Sequence, residues 1–218
     1  MITLFQHGNE EPAGEIETYL SECRVPHATL RLFENDTIPK ELPSRLIILG
    51  GQMSVNDIKD YPFFKDEKRI TREMVAAERP VLGICLGAQM IASAFGQKVI
   101  RGPGEQGWTR IHGCGARIHP LFPETFTVFH WHNETFHLPE GAKLLATGPA
   151  IKNQAFRLGS AVGVQFHPEV TGQVISCWSK DLRADTKRTL MQDTEQYREM
   201  NRQHCRTLID QFLRGWDS

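Results

Sequence analysis

The chain has 218 residues, with 25 Lys and Arg against 26 Asp and Glu and a formal net charge of −1. With no basic excess it lacks the electrostatic footprint of a nucleic-acid binder, and its longest apolar runs fall far short of the roughly 20 residues that a bilayer span needs. Five cysteines, an odd number with no C-x-x-C pair, argue against a disulfide framework or a zinc ribbon and for reduced thiols in the cytoplasm. The first residues show no basic leader followed by a long apolar stretch, so no signal peptide is expected.

Residues 2–6 form a short apolar run that predicts a first strand, and the spacing of Ile16, Tyr19 and Leu20 predicts a helix over 14–23, ended by Pro26. A second strand is expected over 28–33. Residues 45–49 are continuously apolar after Arg45 and close on Gly50-Gly51, the pattern of a parallel strand buried on both faces. A helix over 63–78 stops before Pro80, a buried strand follows at 80–84, and helix 86–95 closes on Gly96. From 97 to 166 the texture changes to short strands, at 98–100, 110–112, 125–130, 143–146, 154–158 and 161–165. Helices return at 171–178 and 183–214. Alternation of strand and helix with buried strands implies an α/β sheet covered on both sides, with antiparallel hairpins added to it. No linker-like composition divides the chain, so one domain over 1–218 is expected.

Chemistry is concentrated in three segments. In Val81-Leu82-Gly83-Ile84-Cys85-Leu86-Gly87-Ala88-Gln89 an apolar strand meets a helix at a cysteine framed by two glycines. This is a nucleophile-elbow pattern with Cys in place of Ser: the tight turn leaves no room for β-carbons, and the helix N-terminus favours a thiolate. In Phe166-His167-Pro168-Glu169, Pro168 holds His167 in extended backbone, where Glu169, two residues on, faces the same side and can steady the imidazole as a base for Cys85. In Leu49-Gly50-Gly51-Gln52 a pair of glycines after a buried strand lets backbone N–H groups approach a ligand closely.

Together these segments resemble the class I glutamine amidotransferase, or triad glutaminase, family, in the family's order Cys, His, Glu. The stretches Glu105-Gln106-Gly107-Trp108, His130-Trp131-His132-Asn133-Glu134 and Asn153-Gln154-Ala155-Phe156 are similar to stand-alone members related to the glutaminase half of GMP synthase. The resemblance implies a three-layer α/β/α, flavodoxin-like fold with a mostly parallel central sheet. It implies hydrolysis of the glutamine side-chain amide to glutamate and ammonia, with Cys85, His167 and Glu169 catalytic. Gly51 and Leu86 would supply the oxyanion N–H groups, and Gly50, Gln89, Trp131, His132 and Asn133 would form the substrate pocket. The implied partners are glutamine or another γ-glutamyl compound and either a separate synthase subunit that accepts ammonia or, for a free-standing hydrolase, no acceptor at all. Two departures stand out: Gln52 replaces the Pro usual after the paired glycines, and Trp131-His132-Asn133 replaces Ser-His-Gly.

Other signals point elsewhere. Gly102–Gly107 fits G-x-G-x-x-G, but a strand rather than a helix is expected after it, so no dinucleotide site is predicted. Five histidines fall at 112, 119, 130, 132 and 137. His130 and His132 would share a strand face, yet no Asp, Glu or Cys stands beside them at a typical ligand spacing, so neither a metal nor a cofactor is expected. Two rival functions remain: a γ-glutamyl peptidase or conjugate hydrolase on the same triad, and a non-catalytic regulatory module, which would need none of Cys85, His167 and Glu169.

Overall fold

The computed structural model describes residues 1–114 and 121–216; His119 lies outside them. Nine strands join one mixed sheet: β1 (Ile2–Gln6), β2 (His27–Arg31), β3 (Arg45–Ile48), β4 (Val81–Ile84), β5 (Val99–Gly113), β6 (Thr125–Phe136), β7 (Lys143–Thr147), β8 (Ala155–Leu158) and β9 (Ala161–Val164). Their order is β2-β1-β3-β4-β9-β8-β7-β5-β6. The five strands from β2 to β9 run parallel, and the remaining ladders, from β9 through β8 and β7 to β5 and β6, are antiparallel. The helices are α1 (Glu15–Glu22), α2 (Phe64–Ala76), α3 (Leu86–Ala94), α4 (Gly172–Trp178) and α5 (Ala184–Leu213). Among the described residues no helix is long and apolar enough to cross a membrane.

Alternation along the parallel strands builds the layers. Ile2, Leu4, Ile47 and Leu49 point into one core with Ile16 and Leu20 of α1 and Leu208, Ile209 and Phe212 of α5. Phe5, Leu46 and Ile48 point to the other side, with Ile70 and Met74 of α2 and Met90 and Ile91 of α3. The period of two in each strand thus feeds two apolar cores, one per face, as a sheet covered by helices on both sides requires. This is the expected α/β architecture.

One expectation is corrected. The short strands expected at 98–100 and 110–112 merge, Lys98 aside, into the single 15-residue strand β5, which forms a long hairpin with β6. Gly102-Pro103-Gly104, which has the composition of a turn, is absorbed as an irregularity: the register shifts between Arg101 and Glu105, and Gly104 takes a φ of 75°. No helix follows Gly107, so the G-x-G-x-x-G segment has no helix N-terminus to offer a phosphate.

Candidate active site

Three neighbouring parallel strands, β3, β4 and β9, deliver their carboxyl ends to one place, where open α/β sheets usually bind ligands. At the end of β4, Cys85 has φ 51°, a left-handed conformation that a side chain accepts only under constraint. The constraint is visible. The Cys85 N–H donates to the Val164 carbonyl at 2.8 Å, and the Cys85 carbonyl accepts from the Gln89 N–H at 3.1 Å. A β-carbon at Gly83 would collide with the Gly87 carbonyl, and one at Gly87 with the Ile48 carbonyl. The expected elbow is therefore present, and both glycines are sterically required. Gln165 Nε2 approaches the Cys85 sulfur at 3.7 Å.

β9 leads into His167, whose N–H donates to the Phe129 carbonyl at 2.8 Å and so ties the ring to β6. Its Nδ1 donates to Glu169 Oε1 at 2.8 Å. Burial by itself would lower the imidazole's pKa, but the Glu169 carboxylate and the Cys85 sulfur outweigh it, and the pKa stands well above the usual histidine value. Nε2 has no well-formed hydrogen bond among the described residues. The Cys85 sulfur still bears on the charge of the ring, and the Cys85 Cβ and the His167 ring both lie against Gly50. Trp178 of α4 packs edge-on against His167, with ring centroids 5.0 Å apart at 74°, and its Nε1 donates to the Glu10 carbonyl at 2.7 Å.

Gly50 and Gly51 follow β3 and lie against this pair. A β-carbon at Gly50 would come within 3.0 Å of the His167 ring; at Gly51 it would press on Leu86 and Met53 at 2.7 Å. Among the described residues, neither the Gly51 nor the Leu86 N–H donates to another backbone group. The sequence reading missed what lies beneath this loop. His7, at the end of β1, is fully buried, with Nδ1 3.2 Å from the Gly50 carbonyl and Nε2 3.1 Å from Glu67 Oε1 of α2. Burial opposes the charge on this ring as well, yet Glu67 prevails and the His7 pKa is raised.

Cys85, Gly51, Gln89, Trp131, His132, Asn133 and His167 line one cavity of about 700 Å³, with Glu169 behind His167. Gly50 and Leu86 lie next to its lining: a β-carbon at Gly50 would stand 3.8 Å from the Cys85 Cβ, and one at Gly51 2.7 Å from the Leu86 side chain. Gln89 is held by Nε2 to the Glu134 carbonyl at 3.2 Å and beside Gln165 Oε1 at 3.4 Å. Charged residues that the sequence reading did not single out also face the cavity, among them Glu10, Glu11, Asp57, Arg101 and Lys180.

A family model described as "Glutamine amidotransferase class-I" matches residues 14–176. The chain belongs to the class I glutamine amidotransferase family. A glutamine amidotransferase-like protein of Salmonella typhimurium, YfeJ, is 29% identical over 180 residues, covering 78% of this chain and 75% of that one. One subunit of the glutamine-hydrolysing GMP synthase of Haloarcula marismortui is 32% identical over 147 residues, 64% of this chain and 71% of that one. Matches to undivided GMP synthases span only about a quarter of their length, as with the 25% covered in the Pyrobaculum aerophilum protein. A crystal structure of a glutamine amidotransferase from Thermotoga maritima superposes with a TM-score of 0.88 at 30% identity, covering 97% of this chain and 96% of that one.

Within this member of the family, the two departures acquire a structural account. Gln52 Nε2 donates to Glu11 Oε1 at 2.9 Å, so the side chain standing in place of proline fastens the glycine loop to the β1–α1 connection. Burial and the charge of Glu10 still leave the Glu11 carboxyl above its usual pKa. Trp131 lies nearly parallel to Phe129, 6.1 Å away at 18°, and 6.1 Å from Trp178. It is stacked into one wall and does not close the cavity.

The structure adds a partner to His130 and His132 that lies far from them in sequence. Glu105 on β5 stands directly opposite His132 in the β5–β6 ladder, so a carboxylate does accompany the two histidines. Its partner position is set by strand register, which ligand spacing along the sequence does not register. Burial, opposed by Glu105, pushes His130 down to about 3.

Proposed function

We propose that this amidotransferase hydrolyses a γ-glutamyl amide through Cys85, His167 and Glu169, with the glutamine side chain as the reference substrate. The observation that carries the reading is His167, buried between the Glu169 carboxylate at 2.8 Å and the Cys85 sulfur, with a raised affinity for its proton. The Cys85 thiol passes its proton to His167, and the sulfur attacks the γ-carbonyl carbon. The Gly51 and Leu86 N–H groups receive the charge that develops on the carbonyl oxygen. His167 Nε2 then returns the proton to the departing nitrogen, which leaves as ammonia or an amine, and a γ-glutamyl thioester remains on Cys85. His167 next takes a proton from water; the resulting hydroxide attacks the thioester, and glutamate and the thiol are released. Glu169 keeps Nδ1 protonated and stabilises the imidazolium throughout.

The likeness to a GMP synthase built from subunits, and not only to undivided synthases, supports an ammonia acceptor on another chain. The five cysteines, all free thiols, suit a reducing compartment such as the cytoplasm. The full length is read as one amidotransferase domain. A second reading concerns the substrate alone. A cavity of about 700 Å³ is of the size that encloses a drug-sized ligand. It favours a γ-glutamyl conjugate whose amine side occupies the space between Arg101, Asp57 and Lys180.

Ammonia release from glutamine, and amine release from a panel of γ-glutamyl amides, test both readings. A glutamine-like electrophile is expected to label Cys85 in preference to Cys23, Cys114, Cys177 and Cys205, and the labelling is expected to collapse in His167→Ala. Equal labelling of several cysteines, or labelling indifferent to His167, defeats the catalytic assignment. Higher kcat/KM on a conjugate than on glutamine decides for the second substrate.

A further inference from the structure

We propose that Glu105, His130 and His132 form a binding site for a first-row divalent transition metal, with Zn²⁺ the best match. The hairpin register makes the site. Glu105 is paired across the ladder with His132, and His130, two residues earlier on β6, shares the same face. One ligand atom from each residue lies within 4.8 Å of the other two. Glu105 Oε2 is 3.2 Å from His132 Nε2 and 3.6 Å from His130 Nδ1. A tetrahedral zinc with bonds of about 2.0–2.2 Å places its ligand atoms roughly 3.3–3.6 Å apart, so the donors need little movement to close on an ion.

Hydrogen bonding demands a positive charge at this point. His132 Nδ1 lies 3.0 Å from the Glu134 carbonyl, which can only accept, so Nδ1 carries the N–H. In the neutral ring the bare lone pair of Nε2 then faces a carboxylate oxygen at 3.2 Å. Two acceptors at that distance repel unless a cation or a proton sits between them. The same N–H to carbonyl brace is the usual outer-shell support of a metal-bound histidine. Among the described residues, both ring nitrogens of the fully buried His130, Nε2 of His132 and Oε1 of Glu105 have no hydrogen-bond partner. Buried polar atoms left in this state are rare and call for an explanation; coordination through His130 Nδ1, His132 Nε2 and the Glu105 carboxylate accounts for all of them except His130 Nε2.

Two imidazoles and one carboxylate are a donor set for zinc and its neighbours rather than for calcium or magnesium. Gln154 Nε2 donates to Glu105 Oε2 at 2.6 Å and fixes the carboxylate. A second cavity, of about 330 Å³, is bordered by Glu105, His132 and Gly104 and supplies a path for the ion. The ion would bolt β5 to β6 directly beneath Trp131–Asn133, which line the larger cavity; its role is to hold that wall.

The test uses the full chain carrying Cys85→Ala, so that no thiolate at the candidate active site competes for metal. It reads binding alone and is therefore independent of the proposed hydrolysis. The chelator-dialysed protein is titrated with Co²⁺ and Zn²⁺. One equivalent is expected to bind, with cobalt d–d bands and no thiolate-to-cobalt charge-transfer band. At a hundredfold excess over Kd, Tm should rise by about 5 °C or more. His130→Ala and Glu105→Gln, the latter chosen to preserve shape, should each weaken binding by about tenfold or more. No stoichiometric binding, binding unchanged in both variants, or a thiolate charge-transfer band overturns the proposal. So does a His132 that nitrogen NMR shows doubly protonated and indifferent to Co²⁺, because a proton then occupies the place assigned to the metal.

Discussion

His7 Nδ1 stands 3.2 Å from the carbonyl oxygen of Gly50, and it is the buried prop beneath the loop that presents the Gly51 N–H. Both ring nitrogens face acceptors, the Gly50 carbonyl and the Glu67 carboxylate, and Glu67 raises the ring's affinity for its proton, so the Gly50–Gly51 peptide is braced by this buried pair. Removing either partner alone leaves a buried charge unpaired and costs about 3–5 kcal/mol of stability. The informative variant is the double substitution His7→Phe with Glu67→Leu, which removes both polar groups together. It is expected to fold with near-native stability by urea titration but to lose kcat by about tenfold to a hundredfold at little-changed KM. An unaltered kcat would reduce His7 to a purely structural role.

Glu169→Gln removes the charge that does most to raise the His167 pKa. The alkaline limb of kcat/KM, where the imidazolium loses its proton, should move to lower pH, and kcat should fall. The effect on stability has a definite sign. A histidine with a raised folded pKa contributes stability that is fully present below its unfolded pKa, about 6.5, and is lost as pH rises through the folded value. The variant should therefore be most destabilised relative to wild type below about pH 6.5, and the difference should shrink at alkaline pH. Denaturant midpoints measured from pH 5 to 9 check this; a deficit that grows with pH contradicts it.

Gly87→Ala drives a β-carbon into the Ile48 carbonyl, within the strand pair that supports Cys85. Backbone must yield, at a cost of about 1–3 kcal/mol, and Leu86, which carries an N–H of the proposed oxyanion pair, must yield with it. Both Tm and kcat should drop. Gly96→Ala is the control: its φ is 81°, but an added β-carbon meets open space, so about 1–2 kcal/mol of backbone strain is expected with kcat retained.

The elbow at Cys85, the His167–Glu169 dyad and the glycine pair were legible because each is contiguous in the chain and each glycine answers a local steric demand. The partners of these segments were not. His7 and Glu67 are 60 positions apart and meet only because β1 and α2 flank the same loop. Glu105 meets His132 across a ladder whose register depends on how many residues the irregularity at 102–104 consumes. That count also hid β5 itself, since Gly-Pro-Gly has turn composition whether a chain reverses there or merely bends. Trp178 reaches His167 from a helix that packs on β6, and nothing near either residue announces the contact.

The reacting groups stand at the ends of parallel strands, while Trp131, His132 and Asn133 come from the outermost antiparallel strand of the sheet. In the proposed reaction, the bond-breaking groups and the outer wall of the cavity thus come from different strands, joined by the His167 N–H to Phe129 carbonyl bond. A lineage could change the side chains at 131–133 to admit a new amine while the Phe129 carbonyl keeps its hold on the His167 N–H, which gives this scaffold a route to new substrates.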